Sequence, residues 1–355
     1  MQVKLSDLCN ITMGQSPKSI YYNKEGSGIP FMQGCTTFGR LFPSIDTWTT
    51  SYNKLANPND ILFTVRAPVG DINIALTNIA IGRGLAALKP TSVSTKYLYY
   101  LLLSNKELFT NNSSGTVYDS INKYNLENTI LNVHSYSNQL LIVDIIGSLD
   151  DKIENNNKII EKMNNLLNVK TNELLLYKTK KFQLNDIIEE CKEKAEIELV
   201  PYSVINTGKV IIQNEQFNKE IAKNTKGKYK KIKKDYFVYN PSRINIGSIG
   251  VMEDEIGCVS PIYVVFKCIK EYKIYLQQLL TFDSMIKEIN KRCSGSVRQA
   301  LSFNDLCSIE IYDIEKEKLK IYNKYCDSII RITKKLEQEN KLLENQKKLY
   351  LAKFF

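Results

Sequence analysis

The sequence predicts an α/β (α+β) protein with two pseudo-symmetric mixed α/β domains separated by a long antiparallel two-helix coiled coil. Three observations lead there. The chain has 355 residues, 43% of them hydrophobic and 24% charged, which is globular in composition and too long for most single cores. Two segments carry a sustained heptad, and three motifs occur twice in the same order. The expected division is residues 1–137 and 181–315 for the domains, with helices over 138–180 and 316–355.

The helices follow from spacing. Ile146, Leu149, Ile153, Asn156, Ile160, Met163, Leu167, Lys170, Leu174 and Tyr177 alternate steps of three and four, which places them on one helical stripe. Tyr322, Cys326, Ile329, Thr333, Leu336, Asn340, Leu343, Lys347, Tyr350 and Phe354 repeat the pattern. Each stripe runs about nine turns, or about 48 Å. Lys170 and Lys347 would meet in the seam of a parallel, in-register pair, where like charges are costly, so the antiparallel pairing is expected.

The domains follow from repetition. DILFTVRAPVGDINIA from Asp60 aligns with DYFVYNPSRINIGSIG from Asp235, each reading as strand, Pro-containing turn and strand. KYLYYLLLS from Lys96 aligns with KIYLQQLLT from Lys273 as a short helix, and SGTVYDSINKYNL from Ser114 with SGSVRQALSFNDL from Ser294. Asp150 falls opposite Asp327. Three matches in one order indicate an internal duplication, and a duplicated chain has approximate two-fold symmetry without being a dimer. Such a shape suits a target repeated about a two-fold axis, of which duplex DNA with two half-sites is one.

Composition narrows the classes. The net charge of +10 admits a nucleic-acid partner without requiring one, and the stretch from Lys219 to Lys234 holds eight lysines against the single acid Glu220. It reads either as a solvated loop or as a phosphate-contacting patch. The eight cysteines are scattered singly and the chain has one histidine, His134, so clustered zinc ligands are not expected and the thiols read as reduced, small hydrophobes. His134 reads as surface or linker. No run of eighteen apolar residues and no secretory leader is visible, so no membrane association is expected and the location is expected to be cytoplasmic.

GIPFMQG from Gly28, DILFTVRAPVGDINIA, IGRGLAALKP ending at Pro90 and GTVYDSINKYNL together resemble the target recognition domain of DNA-specificity subunits of type I restriction-modification systems. KYKKIKKDYFVYNPSRINIGSIGV, GCVSPIYVVF and SGSVRQALSFNDL resemble a second variant, and GSLDDKIENNNKIIEKM resembles the family's spacer helix. The second domain has no counterpart to GQSPKSIYY at Gly14 to Tyr22, so its half-site is expected to differ. The resemblance implies a non-catalytic subunit reading an asymmetric bipartite site on double-stranded DNA. It implies no cofactor in this chain, with S-adenosylmethionine, ATP and Mg held by partners: two methyltransferase subunits and restriction/translocase subunits. Ile159, Leu166 and Leu342 on the outer helix faces are expected to dock those partners.

Two rivals stand beside that reading. A stand-alone methyltransferase or nuclease would need motifs that are missing here: Asn240-Pro241-Ser242-Arg243 and Asn57-Pro58-Asn59-Asp60 lack the second proline and aromatic that hold a flipped adenine, and no G-x-x-x-x-G-K-[ST] loop is present. A coiled-coil scaffold would explain the helices but not the duplication.

Arginine and lysine suit guanine edges and phosphates, asparagine and glutamine suit adenine. The candidates are therefore Gln15, Lys18, Tyr21, Lys24, Arg40 and Arg66 in the first domain, and Lys226, Lys228, Lys230, Lys231, Arg243, Arg292 and Arg298 in the second. Each arginine has the bland alternative of a structural ion pair. The lysine cluster, expected on a flexible loop, suits phosphates better than bases. Tyr97, Tyr99, Tyr100 and Trp48 invite a stacking role, but Tyr97 and Tyr100 fall three apart in an apolar helix and read as core. Asp150 and Asp151 read as helix-start residues favoured by the helix dipole.

Overall fold

The computed structural model describes residues 1–111, 120–213, 225–293 and 300–355. The chain forms two compact units: Met1–Asn156 with Gln338–Phe355, and Asn157–Glu337. Both boundaries fall inside long helices.

In the first unit, β1 (Gln2–Lys4) pairs antiparallel with β11 (Ile130–Asn132). An antiparallel sheet has the order β2 (Cys9–Met13), β10 (Leu85–Pro90), β7 (Ile61–Thr64), β8 (Ile72–Ile74). A smaller sheet runs β3 (Tyr22–Asn23), β5 (Trp48–Thr49), β4 (Ile29–Met32), β9 (Ile79–Ile81), β6 (Leu55–Ala56), with β4 and β9 parallel. Side chains alternate across a strand, and here both faces are covered. Ile61, Phe63, Ala86 and Leu88 join the core under helix α1 (Thr95–Ser104), while Leu62, Leu85 and Ala87 join Met32, Ile79 and Ile81 between the sheets. The outcome is helix, sheet and sheet in three layers. Ser94 caps α1 by accepting from the Tyr97 N–H at 3.2 Å. Helices α2 (Lys106–Asn111) and α3 (Lys123–Glu127) follow, before α4 (Tyr136–Leu174).

The second unit repeats the plan. β12 (Lys178–Gln183) pairs with β21 (Glu310–Ile314), and the larger sheet runs β13 (Ile188–Glu190), β20 (Val264–Cys268), β17 (Phe237–Tyr239), β18 (Ile249–Val251). The smaller sheet runs β15 (Val210–Ile212), β14 (Pro201–Val204), β19 (Ile256–Val259), β16 (Lys230–Lys233), with β14 and β19 parallel. Phe237, Tyr239 and Phe266 pack on the side of helices α5 (Lys273–Leu279) and α6 (Asp283–Arg292), and Val238 and Val265 pack between the sheets. Helices α7 (Phe303–Cys307) and α8 (Lys316–Phe354) complete it. The chain enters both units in the same way. Leu5–Asp7 and Leu184–Asp186 are matching 3-10 turns, and the Leu5 and Leu184 N–H groups donate to Thr129 and Ile309 at 2.9 Å each. Among the described residues the second unit has no counterpart to β3, the strand that begins at the last residue of GQSPKSIYY in the first.

Helices α4 and α8 are 39 residues each. In the first unit Asp150 meets Lys347 and Asn156 meets Asn340, and in the second Thr171 meets Tyr322. With Lys170 also lying over the Tyr325 ring in the second unit, residue numbers rise on one helix as they fall on the other in both, so the helices are antiparallel within each unit. The Asn156–Asn340 bond, 2.9 Å, is of the kind that fixes register at a cost in stability. Lys347 pairs with Asp150 within the first unit and Lys170 with Glu173 within the second.

Asp150 corrects an expectation. It lies well inside α4 rather than at a helix start, with a side chain 1% exposed. The Lys347 Nζ donates to it at 2.8 and 3.1 Å, the Tyr100 Oη at 2.7 Å, and the Arg40 guanidinium also pairs with it. A charge this deeply buried persists only when paired and hydrogen-bonded, and these three donors meet that requirement. Asp151 is exposed and pairs with Lys96 at 3.1 Å. His134 is likewise half-buried rather than free surface: Tyr97 Oη lies 2.9 Å from its Nδ1 and accepts from its backbone N–H at 3.0 Å. Tyr97 and Tyr100 are core, as expected, Tyr99 is buried with them, and Trp48 is half-buried on β5.

Candidate nucleic-acid interface

The first unit gathers exposed polar side chains where strands of its two sheets end. After β4 comes Gln33, after β7 comes Arg66, and between β9 and β10 the chain turns through Gly82, Arg83 and Gly84. Gln33, Arg66, Arg83 and Gly84, with Gly34, Cys35, Thr64 and Ala67, line a cleft of about 180 Å³. Gln33, Arg66 and Arg83 are exposed. The preceding loop is tied to the same place, because the Gln15 N–H donates to the Ile81 carbonyl at 2.9 Å and the Arg83 N–H to Ser16 Oγ at 3.1 Å. Lys18 and Tyr21 bracket the 3-10 turn that follows, Lys24 lies just beyond β3, and all three are exposed.

Arg66 is therefore the predicted residue that the structure sets into a cleft, with Gln15, Lys18, Tyr21 and Lys24 on the segment beside it. Gln33 and Arg83 were not among the sequence candidates. The available signal was the Gly-Arg-Gly string in IGRGLAALKP, a lone cation between two residues without side chains. Arg40 is a correction: its guanidinium pairs with Asp150 and, at 3.3 Å, with Glu344, and donates to the Asp150 carbonyl at 2.8 Å. It is a structural ion pair joining the β-sheet unit to its own helices.

In the second unit the lysine cluster also differs from expectation. Lys230 and Lys231 lie on strand β16 rather than a flexible loop, around the fully buried Ile232. Strand pairing with β19 holds them, and the cations have partners. Lys231 and Lys233 meet Glu193 at 2.6 and 3.1 Å, Lys234 meets Glu255, and Lys230 Nζ donates to the Tyr263 carbonyl at 2.7 Å. Burial lowers the pKa of Lys230. Lys226 and Lys228, in the turn before β16, are exposed. Arg243 is exposed between β17 and β18. Arg292 ends α6 bound to Glu288 and to Ser308 Oγ, the latter at 3.1 Å, which is the structural alternative again. Arg298, Lys219 and Lys223 lie outside the described residues.

The chemistry here is that of charged and amide side chains. Among the described residues no three His, Cys, Asp or Glu side chains gather as metal ligands, and no helix is long and apolar enough to cross a membrane. The cysteines are free thiols, and burial pushes Cys9 and Cys268 up to about 12 and Cys258 and Cys326 up to about 11. On the outer helix faces Ile159 and Leu342 are exposed, whereas Leu166 packs against the second unit's core.

Residues 1–165 match the family described as the type I restriction modification DNA specificity domain. The MjaX type I restriction enzyme specificity subunit of Methanocaldococcus jannaschii is 40% identical over 146 residues, which are 41% of this chain and 34% of that protein. The match thus spans about a third of that relative's length. The crystal structure of a type I restriction-modification S subunit from M. genitalium shares the fold, with a TM-score of 0.64 over 100% of this chain and 96% of that one at 15% identity. The HsdS subunit from Thermoanaerobacter tengcongensis is 38% identical over 41% of this chain and 35% of its own, with a TM-score of 0.37.

Proposed function

We propose, from the membership of residues 1–165 in the type I restriction modification DNA specificity domain family, that the whole chain is a non-catalytic DNA-specificity subunit. Residues 1–137 and 181–315 are its two recognition domains, and the helices over 138–180 and 316–355 are the spacers. Each domain reads one half of an asymmetric bipartite site on double-stranded DNA. Adenine methylation is carried out by two methyltransferase subunits, which hold S-adenosylmethionine, and cleavage by restriction/translocase subunits, which use ATP and Mg.

One observation carries the extension from the matched segment to the whole chain. The second unit repeats the first, with the larger sheet in the same order and the same parallel pair inside the smaller one, only β3 lacking a counterpart among the described residues. A scaffold duplicated this closely, with different exposed side chains in each copy, suits two half-sites of different sequence. A coiled-coil scaffold protein would have no use for the second recognition unit.

The test is methylation in a host that carries this gene and its adenine methyltransferase. Modified adenines should fall in one bipartite motif with unlike halves, and deleting the gene should abolish that motif. Persistence of the motif after deletion, or methyl transfer by the purified chain alone, would contradict the proposal.

A further inference from the structure

Arg83 is held on every side except its own. A Cβ at Gly82 would stand 2.7 Å from Gln33 Cγ and 2.8 Å from Ser16 Oγ, and one at Gly84 would stand 2.1 Å from the Gln33 carbonyl oxygen. Neither flank has room for a side chain, so the turn presses against the end of β4 and exposes Arg83 alone. Gln33 is fixed as well. Its Nε2 donates to Tyr22 Oη at 3.0 Å, Tyr22 Oη donates to the Pro17 carbonyl at 2.9 Å, and the Tyr22 ring lies 4.5 Å from that of Phe31. That chain orients the amide and leaves its Oε1 as an acceptor at the cleft. Arg66 follows Val65, whose carbonyl accepts the Ile121 N–H at 3.0 Å. The side chains are exposed while the backbone that carries them is fixed, the preorganisation that recognition of a base edge needs.

The second unit supplies the comparison. Two of its backbone bonds are the same: Leu301 N–H donates to Pro241 as Ile121 does to Val65, and Tyr263 N–H to Ser260 as Leu85 does to Gly82. In the parallel pair, Tyr202 faces Val259 as Met32 faces Ile81. By that register the places of Gln33, Arg66 and Arg83 are taken by Ser203, Ser242 and Pro261. All three cleft side chains change while these two backbone bonds and the parallel register are kept, even though Ser260 and Ile262 stand where Gly82 and Gly84 do and the second unit has no strand like β3 among the described residues. A contact to the phosphate backbone serves any half-site and gains nothing from changing between copies, whereas a base contact has to change when the sequence it reads changes.

Resting on the proposed DNA-reading function, the geometry points to Gln33, Arg66 and Arg83 as the base-reading set of the first half-site, with at least one G·C pair contacted by an arginine. The guanidinium fork matches guanine O6 and N7, and the Gln33 Oε1 accepts from an exocyclic amine.

The experiment selects duplexes from a random pool with the full chain and with Gln33→Ala, Arg66→Lys and Arg83→Lys. Lysine keeps the charge and loses the fork. At least one of the two lysine variants should lose roughly tenfold to a hundredfold of its preference for guanine at one position. The other half of the motif should stay unchanged, as should affinity for unrelated duplexes. Variants that select the wild-type motif with uniformly weaker binding would overturn the inference, as would variants that change both halves. Wild-type protein that selects no motif would overturn the DNA-reading function itself, an outcome separate from the failure of the three residues.

Discussion

In the first unit the helix seam holds a buried charge, Asp150 with Lys347; in the second it holds a neutral 2.8 Å bond between Thr171 and Tyr322. Duplication placed Asp327 opposite Asp150 and Lys170 opposite Lys347 in sequence, yet those two behave as ordinary surface groups. Asp327 pairs with Arg331 at 2.7 Å and Lys170 with Glu173 at 2.7 Å. The difference lies in the neighbouring domain. Only the first unit brings Arg40 and Tyr100 to the seam, and the second has Gln277 where the alignment places Tyr100. An inherited aspartate becomes structural when a second element supplies donors for it, and otherwise pairs with a neighbour on its own helix, as Asp327 does with Arg331. The cleft teaches the complementary lesson, because there the sheet register is kept and the presented side chains are replaced.

The comparison breaks first if the two cores are not equivalent. Phe63 and Phe237 are both fully buried on the helix-facing sides of the larger sheets. Phe63→Ala and Phe237→Ala should each cost roughly 3–5 kcal/mol. Denaturant unfolding of the full chain measures both, and a loss below about 1 kcal/mol for either would mean that unit is not organised around this sheet.

The seam gives the next effect. Asp150→Ala leaves Lys347 buried without its partner and should cost about 3 kcal/mol, whereas Tyr322→Phe, which removes one neutral bond, should cost about 1 kcal/mol. Replacing Asp150 with Leu and Lys347 with Met together should recover most of the loss. If Asp150→Ala and Tyr322→Phe proved equally mild, the buried cluster would not distinguish the units.

The smallest effect concerns the lysines. Lys226 and Lys228 are exposed, whereas Lys231 pairs with Glu193. Alanine at Lys226 and Lys228 together should reduce the salt dependence of duplex binding by up to about 1.8 in slope, and alanine at Lys231 should hardly change it. A larger change at Lys231 would mean that DNA displaces Glu193 from the pair.

Much of the frame was legible because it rests on periodicity and on repetition. Steps of three and four marked both helices, and strand-turn-strand motifs marked β7 with β8 and β17 with β18. What escaped was set by contacts distant in sequence. The heptad assigned Leu149 to the seam, but Asp150 is the more buried of the two, a placement that depends on Arg40 and Tyr100. Arg40 looked like any exposed arginine because its partner lies 110 residues away. KKIK carries one apolar residue, so β16 read as loop until its pairing with β19 buried Ile232. Leu5–Asp7 and Leu184–Asp186 are too short for their likeness to stand out without the bonds to Thr129 and Ile309. Of the cleft, Arg66 was legible as an exposed cation beside a turn. Gln33 and Arg83 required the close approach of Gly82 and Gly84.

The central claim is that two units of one frame read two different half-sites. The direct measurement is the motif that the unaltered full chain selects from a random duplex pool. Two unlike clusters of specified bases, separated by a fixed number of unspecified pairs, are the predicted result. Two copies of the same cluster, or a single uninterrupted motif, would contradict it.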